Sequence, residues 1–306
     1  MVKTNSIKAW MLASRPKTLT GAAAPVILGG TMAGLYMHQL HVVPFVLALV
    51  FALLMQVAAN FINDYFDWKK GSDRNEDRLG PERACAQGWI TPNAMLWGIT
   101  VVIAVACCVG LPLAVMSGWW LVGIGAVCVF FAFVYTLWFS YLGLGDVLVL
   151  LFFGIVPVGF TFYVMTDGQW PMEVTLLGVA QGLVTDLLLL VNNYRDRDQD
   201  EVSGKKTLVV RFGASFGRIS YLVIGYVGVI IAALGVDGLL FSDVKHSFIV
   251  TFIGCFLWIM LHMKTYGQLK RLEGKLLNKV LGATARNIFL FAIAFALMAI
   301  VTSCCG

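Results

Sequence analysis

Charged residues are scarce in this 306-residue chain: 13% of it is Asp, Glu, Lys or Arg, whereas 59% is apolar. A soluble domain averages roughly 45–50% apolar and about 25% charged residues. A chain of this length could bury a large apolar core, but it would still need a charged surface toward water. The shortage of charge therefore argues against an ordinary soluble fold and indicates that lipid is the outer solvent.

Three other signals are missing. The first 18 residues contain no apolar run long enough for a cleavable signal peptide, so we expect the first membrane helix to be retained. None of the seven cysteines forms a Cys-x-x-Cys pair, and the four histidines lack zinc-ligand spacing. The sequence therefore predicts neither a disulfide framework nor a zinc site.

Long apolar runs fill most of the chain. A membrane helix needs about 20 mostly apolar residues, and nine stretches meet this condition. They cover residues 20–36, 42–63, 94–116, 119–138, 143–165, 172–193, 218–240, 247–265 and 285–303. This pattern predicts an all-α, polytopic membrane protein of about nine transmembrane helices around a central cavity, with residues 1–306 forming one domain.

The basic residues lie almost entirely on one side of this topology. All 22 except Lys245 precede the first stretch, lie in the loops after stretches two, six and eight, or lie within two residues of those loops. Because Lys and Arg are retained on the cytoplasmic side, we expect a cytoplasmic N-terminus and an external C-terminus. We also expect the protein to lie in the inner (cytoplasmic) membrane of the cell, with its active site on the cytoplasmic side.

Two aspartate-rich segments follow apolar stretches two and six. They read NFINDYFD and NNYRDRDQDE, and together with the loop after the first they hold ten of the 17 acidic residues. Residues i and i+4 share a helix face. Asn63 with Asp67, and Asp196 with Asp200, would therefore each direct two oxygen ligands the same way.

Clustered carboxylates at a membrane boundary repel one another unless a cation lies between them. Oxygen ligands favour a hard ion, and Mg²⁺ is usually shared between carboxylates and substrate phosphates. The interleaved Arg and Lys residues would neutralise the remaining charge of a diphosphate. Solvated loop charge explains Glu76, Asp77 and Glu82 about equally well. Asp186, inside the sixth stretch, could line the cavity or pair internally.

With these motifs the chain resembles the UbiA superfamily of intramembrane prenyltransferases, whose motifs are N-x-x-x-D-x-x-x-D and D-x-x-x-D. The matching residues are Asn63, Asp67, Asp196 and Asp200. The third position of the first motif is Gly71 here, and Asp73 follows two residues later. This departure leaves the identity of the third ligand open.

The pattern of Gly71 followed by Asp73 is itself similar to that of one branch of the family, which prenylates 1,4-dihydroxy-2-naphthoate in menaquinone synthesis. That branch shows N-D-Y-x-D-x-x-x-G-x-D, then D-R-x-G-P-x-R, and later N-N-x-R-D-x-x-x-D-x-x-x-G-K-x-T-L-x-V-R-x-G, all of which this chain carries. The resemblance implies Mg²⁺-dependent transfer of a polyprenyl group from a prenyl diphosphate to the naphthoate ring. Carbon dioxide would be lost and demethylmenaquinone formed.

The resemblance also implies roles for individual residues. Metal ligands would be Asn63, Asp67, Asp73, Asp196 and Asp200. Catalytic residues would be Asp67, Asp196, Asp200, Lys205 and Asp146. Substrate-binding residues would be Arg15, Lys17, Asn63, Asp64, Asp73, Arg78, Arg83, Asn192, Asn193, Arg195 and Tyr135. Tyr65, Tyr135 and Phe153 are candidates to shield an allylic carbocation, although packing explains each as well. Asp146 would position the acceptor or take a proton, but it could equally cap a helix.

Two alternatives stay open. A 4-hydroxybenzoate or homogentisate prenyltransferase would share both aspartate motifs, although the Gly71/Asp73 pattern and the loop from Arg78 to Arg83 favour the naphthoate branch. An ion transporter would also carry intramembrane acids. Here, however, the acids cluster at one face of the membrane and do not line a route across it.

Overall fold

The structure, a computed structural model, describes residues 2–71, 79–136, 143–240 and 244–305. Every regular element in these ranges is helical, which confirms the prediction of an all-α fold. The helices are α1 (Ile7–Ser14), α2 (Pro16–Tyr36), α3 (Val42–Lys70), α4 (Pro92–Ser117), α5 (Trp120–Val134), α6 (Gly145–Leu150), α7 (Val156–Met165), α8 (Met172–Val202), α9 (Leu208–Leu240), α10 (Val244–Arg271) and α11 (Leu277–Cys305). A π-helical turn, Leu151–Ile155, joins α6 to α7, and a short 3₁₀ helix, Gly274–Leu276, precedes α11.

The long helices coincide with the predicted membrane stretches. Within the described ranges, seven segments are long and apolar enough to cross a membrane, and α5 is a shorter apolar helix. All nine predicted stretches overlap these helices or α10. The number of crossings and the side on which each terminus lies stay predictions.

Two helix ends follow directly from local sequence. Thr91 caps α4: its side chain accepts a hydrogen bond from the Ala94 N–H, and Pro92 occupies the first turn, where no N–H is needed. Gly71 ends α3 in the left-handed region at φ 76°, and its N–H bonds back to the carbonyls of Asp67 and Trp68. A glycine at the third position of the first motif therefore serves to stop the helix.

Helix α8 is the central element. It packs against α9, α11, α6, α7 and the π-helical turn, and about two thirds of its apolar segment is buried. The π-helical turn meets α8 at backbone distance, since a Cβ on Gly154 would collide with the Gly178 carbonyl oxygen. Helices α1, α3 and α4 share a second apolar cluster that includes Phe61, Ile90 and Met95. The last turn of α3 extends from this cluster toward the polar end of α8.

Candidate active site

The first aspartate segment forms the last two turns of α3, and its most buried acid holds a loop. Asp64 is only 1% exposed. Its two carboxylate oxygens accept hydrogen bonds from the Ala84 and Cys85 N–H groups, each at 2.8 Å. Asp64 thus anchors the segment that carries Arg83. The predicted contact of Asp64 with substrate stays a prediction.

The next turn of α3 places a carboxylate and an amide toward the polar end of the bundle. Asp67 Oδ2 lies 2.7 Å from Nη2 of Arg83, in a partly buried ion pair. Asn63 Oδ1 accepts a hydrogen bond from the Thr136 hydroxyl. The Lys70 ammonium group donates to the Thr136 carbonyl at 3.2 Å. The end of α3 is therefore tied to the end of α5.

The second aspartate segment forms the last turns of α8. Arg195 is buried and donates to both carboxylate oxygens of Asp196, at 2.7 and 2.6 Å. Its remaining terminal nitrogen donates to Asn278 Oδ1 at 2.7 Å. The Asn278 amide donates in turn to the Leu79 carbonyl at 2.8 Å. This chain of hydrogen bonds joins α8, α11 and the loop after α3.

One turn further along α8, Asp200 is buried and pairs with the loop that follows. The Lys205 ammonium group lies 3.0 Å from Asp200 Oδ1, and the Lys205 N–H donates to the Asp200 carbonyl at 2.9 Å. Asp196 and Asp200 lie on one helix at the expected i, i+4 spacing. Asn192 and Asn193 are half-buried on the preceding turn.

The ends of α3 and α8 converge. Lys70 interacts electrostatically with both Asp67 and Lys205, so the two segments lie within range of each other. Tyr135, at the end of α5, lies within electrostatic range of four carboxyl groups: Asp146, Asp186, Asp67 and Asp200. Residues widely separated in the sequence thus share one polar region at the end of the helical bundle.

Asp146 and Asp186 line one cavity. Helix α6 begins at Gly145 with Leu144 at the N-cap position, and no side chain caps it. Asp146 therefore lies in the first turn and does not act as the N-cap. Asp186 is 5% exposed and faces the cavity that Asp146 also lines. Of the two alternatives for Asp186, the structure favours the cavity-lining one.

The predicted N-terminal residues lie where α1 meets α2. Arg15 joins the two helices with φ 50°, and Lys17 is exposed in the first turn of α2. The Asn60 amide donates to the Ser14 carbonyl at 2.9 Å, which ties this junction to α3. Both basic residues are therefore held near α3, one or more turns before its aspartates.

The remaining predicted residues differ in placement. Tyr65 packs against Phe66, with ring centroids 5.1 Å apart, and belongs to the apolar cluster around α3. Phe153 is half-buried in the π-helical turn. Asp73 and Arg78 lie outside the described residues. Packing explains the position of Tyr65, and a role in shielding a cation stays a prediction.

The donor set fits a metal shared with a phosphate ligand. Among the described residues, no group of three His, Cys, Asp or Glu side chains is arranged to hold a metal ion. Mg²⁺, however, is commonly bound through one or two carboxylates together with substrate phosphates and water. Asp67, Asp196 and Asp200 supply carboxylate oxygens, and Asn63 supplies an amide oxygen, so the ligand chemistry suits Mg²⁺.

The sequence motifs did not identify two residues at the site, Asn278 and Thr136. Asn278 stands outside every motif, 199 residues from its partner Leu79. Thr136 lies at the end of an apolar stretch, where its polarity is the only signal. Both contribute through contacts between distant segments, which no local pattern reports.

Comparison with known proteins agrees with this geometry. The family model of the UbiA prenyltransferase family matches residues 22–279. The chain belongs to the UbiA prenyltransferase family. It is 34% identical over 236 residues to a 1,4-dihydroxy-2-naphthoate octaprenyltransferase of Haemophilus influenzae, covering 71% of this chain and 73% of that protein. It is 38% identical over 217 residues to the enzyme of the same description from Escherichia coli, covering 67% and 69%.

The fold also matches a solved member of the family. A UbiA homolog from Archaeoglobus fulgidus bound to GPP and Mg²⁺ superposes with a TM-score of 0.61 at 15% identity, covering 95% of this chain and 99% of that one. At this identity the likeness supports the fold alone. Together with the apolar helices, the family assignment makes this UbiA chain a multi-pass membrane prenyltransferase.

Proposed function

We propose that this enzyme transfers a polyprenyl group from a prenyl diphosphate to 1,4-dihydroxy-2-naphthoate, with loss of carbon dioxide, at the cytoplasmic face of the inner membrane. The observation that carries the proposal is the convergence of two carboxylate-bearing helix ends, each with its own basic partner. The names of the relatives from Haemophilus influenzae and Escherichia coli support the choice of acceptor.

The metal would be held between α3 and α8. Asp67, with Asn63 one turn before it, would supply ligands from α3, and Asp196 and Asp200 would supply them from α8. Mg²⁺, when bound, supplies positive charge that stabilises the departing diphosphate. The homolog from Archaeoglobus fulgidus, which is bound to GPP and Mg²⁺, supports this cofactor.

The basic side chains of the site would bind the diphosphate. Arg83 and Lys205 lie within 3.0 Å of motif carboxylates, so they stand beside any phosphate that shares a metal with those carboxylates. Fixed positive charges of this kind stabilise negative charge that develops on a leaving group. The prenyl tail would leave the site sideways between helices into lipid, which explains why the enzyme is embedded in the membrane.

The orientation follows from the basic residues. The proposed site lies at the ends of α3 and α8. These helix ends and the loops that follow them are rich in Lys and Arg. Since basic loops stay cytoplasmic, the site would face the cytoplasm. Cysteine labelling at position 205 against position 245 tests this: equal accessibility from one side would contradict the topology.

The deciding experiment is a product assay on purified protein in detergent with Mg²⁺ and a long-chain prenyl diphosphate. Two acceptors, 1,4-dihydroxy-2-naphthoate and 4-hydroxybenzoate, are offered separately. We expect prenylated product and carbon dioxide from the naphthoate alone. Product from 4-hydroxybenzoate alone would keep prenyl transfer but replace the acceptor, and product from neither would contradict the proposal.

A further inference from the structure

A cavity of about 230 Å³ lies between α6, α8 and α9, beside the converging helix ends. Its wall is mostly apolar and includes Leu183 and Phe216, with the hydroxyl of Ser220 and two carboxyl groups as polar exceptions. Pockets for drug-sized ligands begin at roughly 300 Å³. A cavity of this size therefore suits a molecule of one or two rings.

Backbone packing fixes the two carboxyl groups of this cavity opposite each other. Helices α6 and α8 meet where a Cβ on Gly182 would lie 2.7 Å from the Leu150 carbonyl oxygen. Asp186 comes one helical turn after Gly182, and Asp146 comes one turn before Leu150. Because residues one turn apart share a helix face, both aspartates point into the same cavity, where they interact electrostatically.

Asp186 carries an unsatisfied acceptor. The residue is 5% exposed, and its Oδ1 is buried with no hydrogen-bond donor among the described residues. Buried carboxylate oxygens without a donor are unfavourable and rare in native proteins. A hydroxyl group on a ligand in the cavity would supply the missing donor.

Tyr135 connects this cavity with the aspartate ends of α3 and α8. Its ring packs beside Gly145, 3.7 Å from the position of a Cβ there, so it lies next to the first turn of α6. It is within electrostatic range of Asp146 and Asp186, and also of Asp67 and Asp200. A ring bound in the cavity would therefore lie close to the place where the diphosphate is proposed to bind.

We propose that Asp146 and Asp186 form the hydroxyl-binding end of the subsite for the aromatic acceptor, with a ring hydroxyl donating to Asp186 Oδ1. This inference rests on the proposed function, which supplies a dihydroxylated aromatic ring as the acceptor. The apolar walls would hold the faces of the ring, and the carboxyl pair would select for its hydroxyl groups.

The same carboxylate would take up a proton during transfer. As a ring carbon bonds to the first prenyl carbon, the bond from that carbon to the diphosphate oxygen breaks, and its electron pair leaves on the diphosphate. The O–H bond of the ring hydroxyl breaks as well. Its electrons move into the ring and leave a ring carbonyl, and its proton passes to the Asp186 carboxylate, which acts as a general base. When the carboxylate on the prenylated ring carbon leaves as carbon dioxide, its bonding electrons restore the aromatic ring, and the carbonyl oxygen takes the proton back from Asp186.

Equilibrium binding to purified protein without a prenyl donor tests the proposal. The two probes are 1,4-dihydroxy-2-naphthoate and 2-naphthoate, which lacks both hydroxyls. We expect the wild-type protein to bind the diol about 10- to 100-fold more tightly, as one hydrogen bond to a carboxylate provides. Asp186→Leu, which removes the acceptor and keeps an apolar wall, should reduce this preference below about 3-fold, with the Kd for prenyl diphosphate unchanged.

The matched control is Asp198→Leu, on the same helix but with its side chain 82% exposed and paired with Arg197. It should keep the wild-type preference. The proposal is overturned if Asp186→Leu also keeps it, or if that variant loses prenyl diphosphate binding to the same extent. If Asp186→Leu does not fold, Asp146→Leu and a 1,4-dimethoxy analogue on wild-type protein take its place. Tight binding of the dimethoxy analogue would equally overturn the proposal.

Turnover separates this inference from the proposed function. Wild-type protein that binds the diol through Asp186 but forms no prenylated product would contradict the proposed function and support the subsite. If wild-type protein forms product but Asp186→Leu keeps the wild-type preference for the diol, the proposed function is supported and the subsite is contradicted.

Discussion

The ends of α3 and α8 carry similar aspartates but hold them differently. At the end of α3, the partners of Asp64 and Asp67 come from a loop 16 to 21 residues away. At the end of α8, Asp196 pairs with its neighbour Arg195, and Asp200 pairs with the first residues after the helix. The carboxylates of the first end therefore depend on a folded loop, whereas those of the second end pair with residues close to them in the sequence.

The largest expected effect on turnover should come from the motif aspartates that both helix ends carry. Asp67→Asn and Asp196→Asn should each lower turnover by about 100-fold or more, because both would remove a charge that holds the metal and its diphosphate. Turnover is measured at saturating Mg²⁺ and prenyl diphosphate. The control is Asp198→Asn, an exposed position that should stay within about 2-fold of wild type. Near-normal turnover in either motif variant would exclude the two-ended metal site.

The next effect should appear at the end of α3 alone. Asp64→Ala would leave the buried Ala84 and Cys85 N–H groups without an acceptor, at a cost of about 1–3 kcal/mol for each group. We expect a lower melting temperature and faster tryptic cleavage after Arg83. Asp67→Asn should not accelerate cleavage to the same extent, because Asp67 contacts the Arg83 side chain and not the loop backbone. Equal cleavage rates in both variants would mean that Asp64 does not hold the backbone of the loop in place.

A smaller effect should follow when the two ends are uncoupled. Asn278→Leu removes the bridge between buried Arg195 and the Leu79 carbonyl. Hydrogen bonds to charged groups contribute about 1.5–3 kcal/mol, so amide hydrogen exchange around residues 79–88 should increase. Turnover should fall several-fold, less than in the aspartate variants. Asn193→Leu, half-buried on α8, is the comparison, and similar exchange in both would argue against a specific bridge.

The contrast between the two ends also explains what the sequence could predict. The i, i+4 pairs at the ends of α3 and α8 were visible because helical periodicity and apolar runs are local properties. The role of Gly71 as the residue that ends α3 was not visible, because it depends on a backbone angle of φ 76°. The ion pair of Asp67 with Arg83 and the bridge through Asn278 require knowledge of which distant segments meet. No local pattern in the sequence reports such contacts.

The last prediction concerns Cys85 and should involve the smallest effect on activity. It tests the contact between Cys85 and Asp64 at the end of α3. Burial raises the pKa of the Cys85 thiol, and the Asp64 carboxylate raises this pKa further. A raised pKa means a smaller thiolate fraction at a given pH, and the thiolate is the species that alkylates. Cys85 should therefore resist iodoacetamide at pH 8, by peptide mapping with mass spectrometry. Asp64→Asn should lower the pKa and move alkylation to lower pH, whereas Asp198→Asn should not. If neither variant changed the pH profile, Asp64 would not contribute to the charge environment of Cys85, and the anchoring contact at the end of α3 would be in doubt.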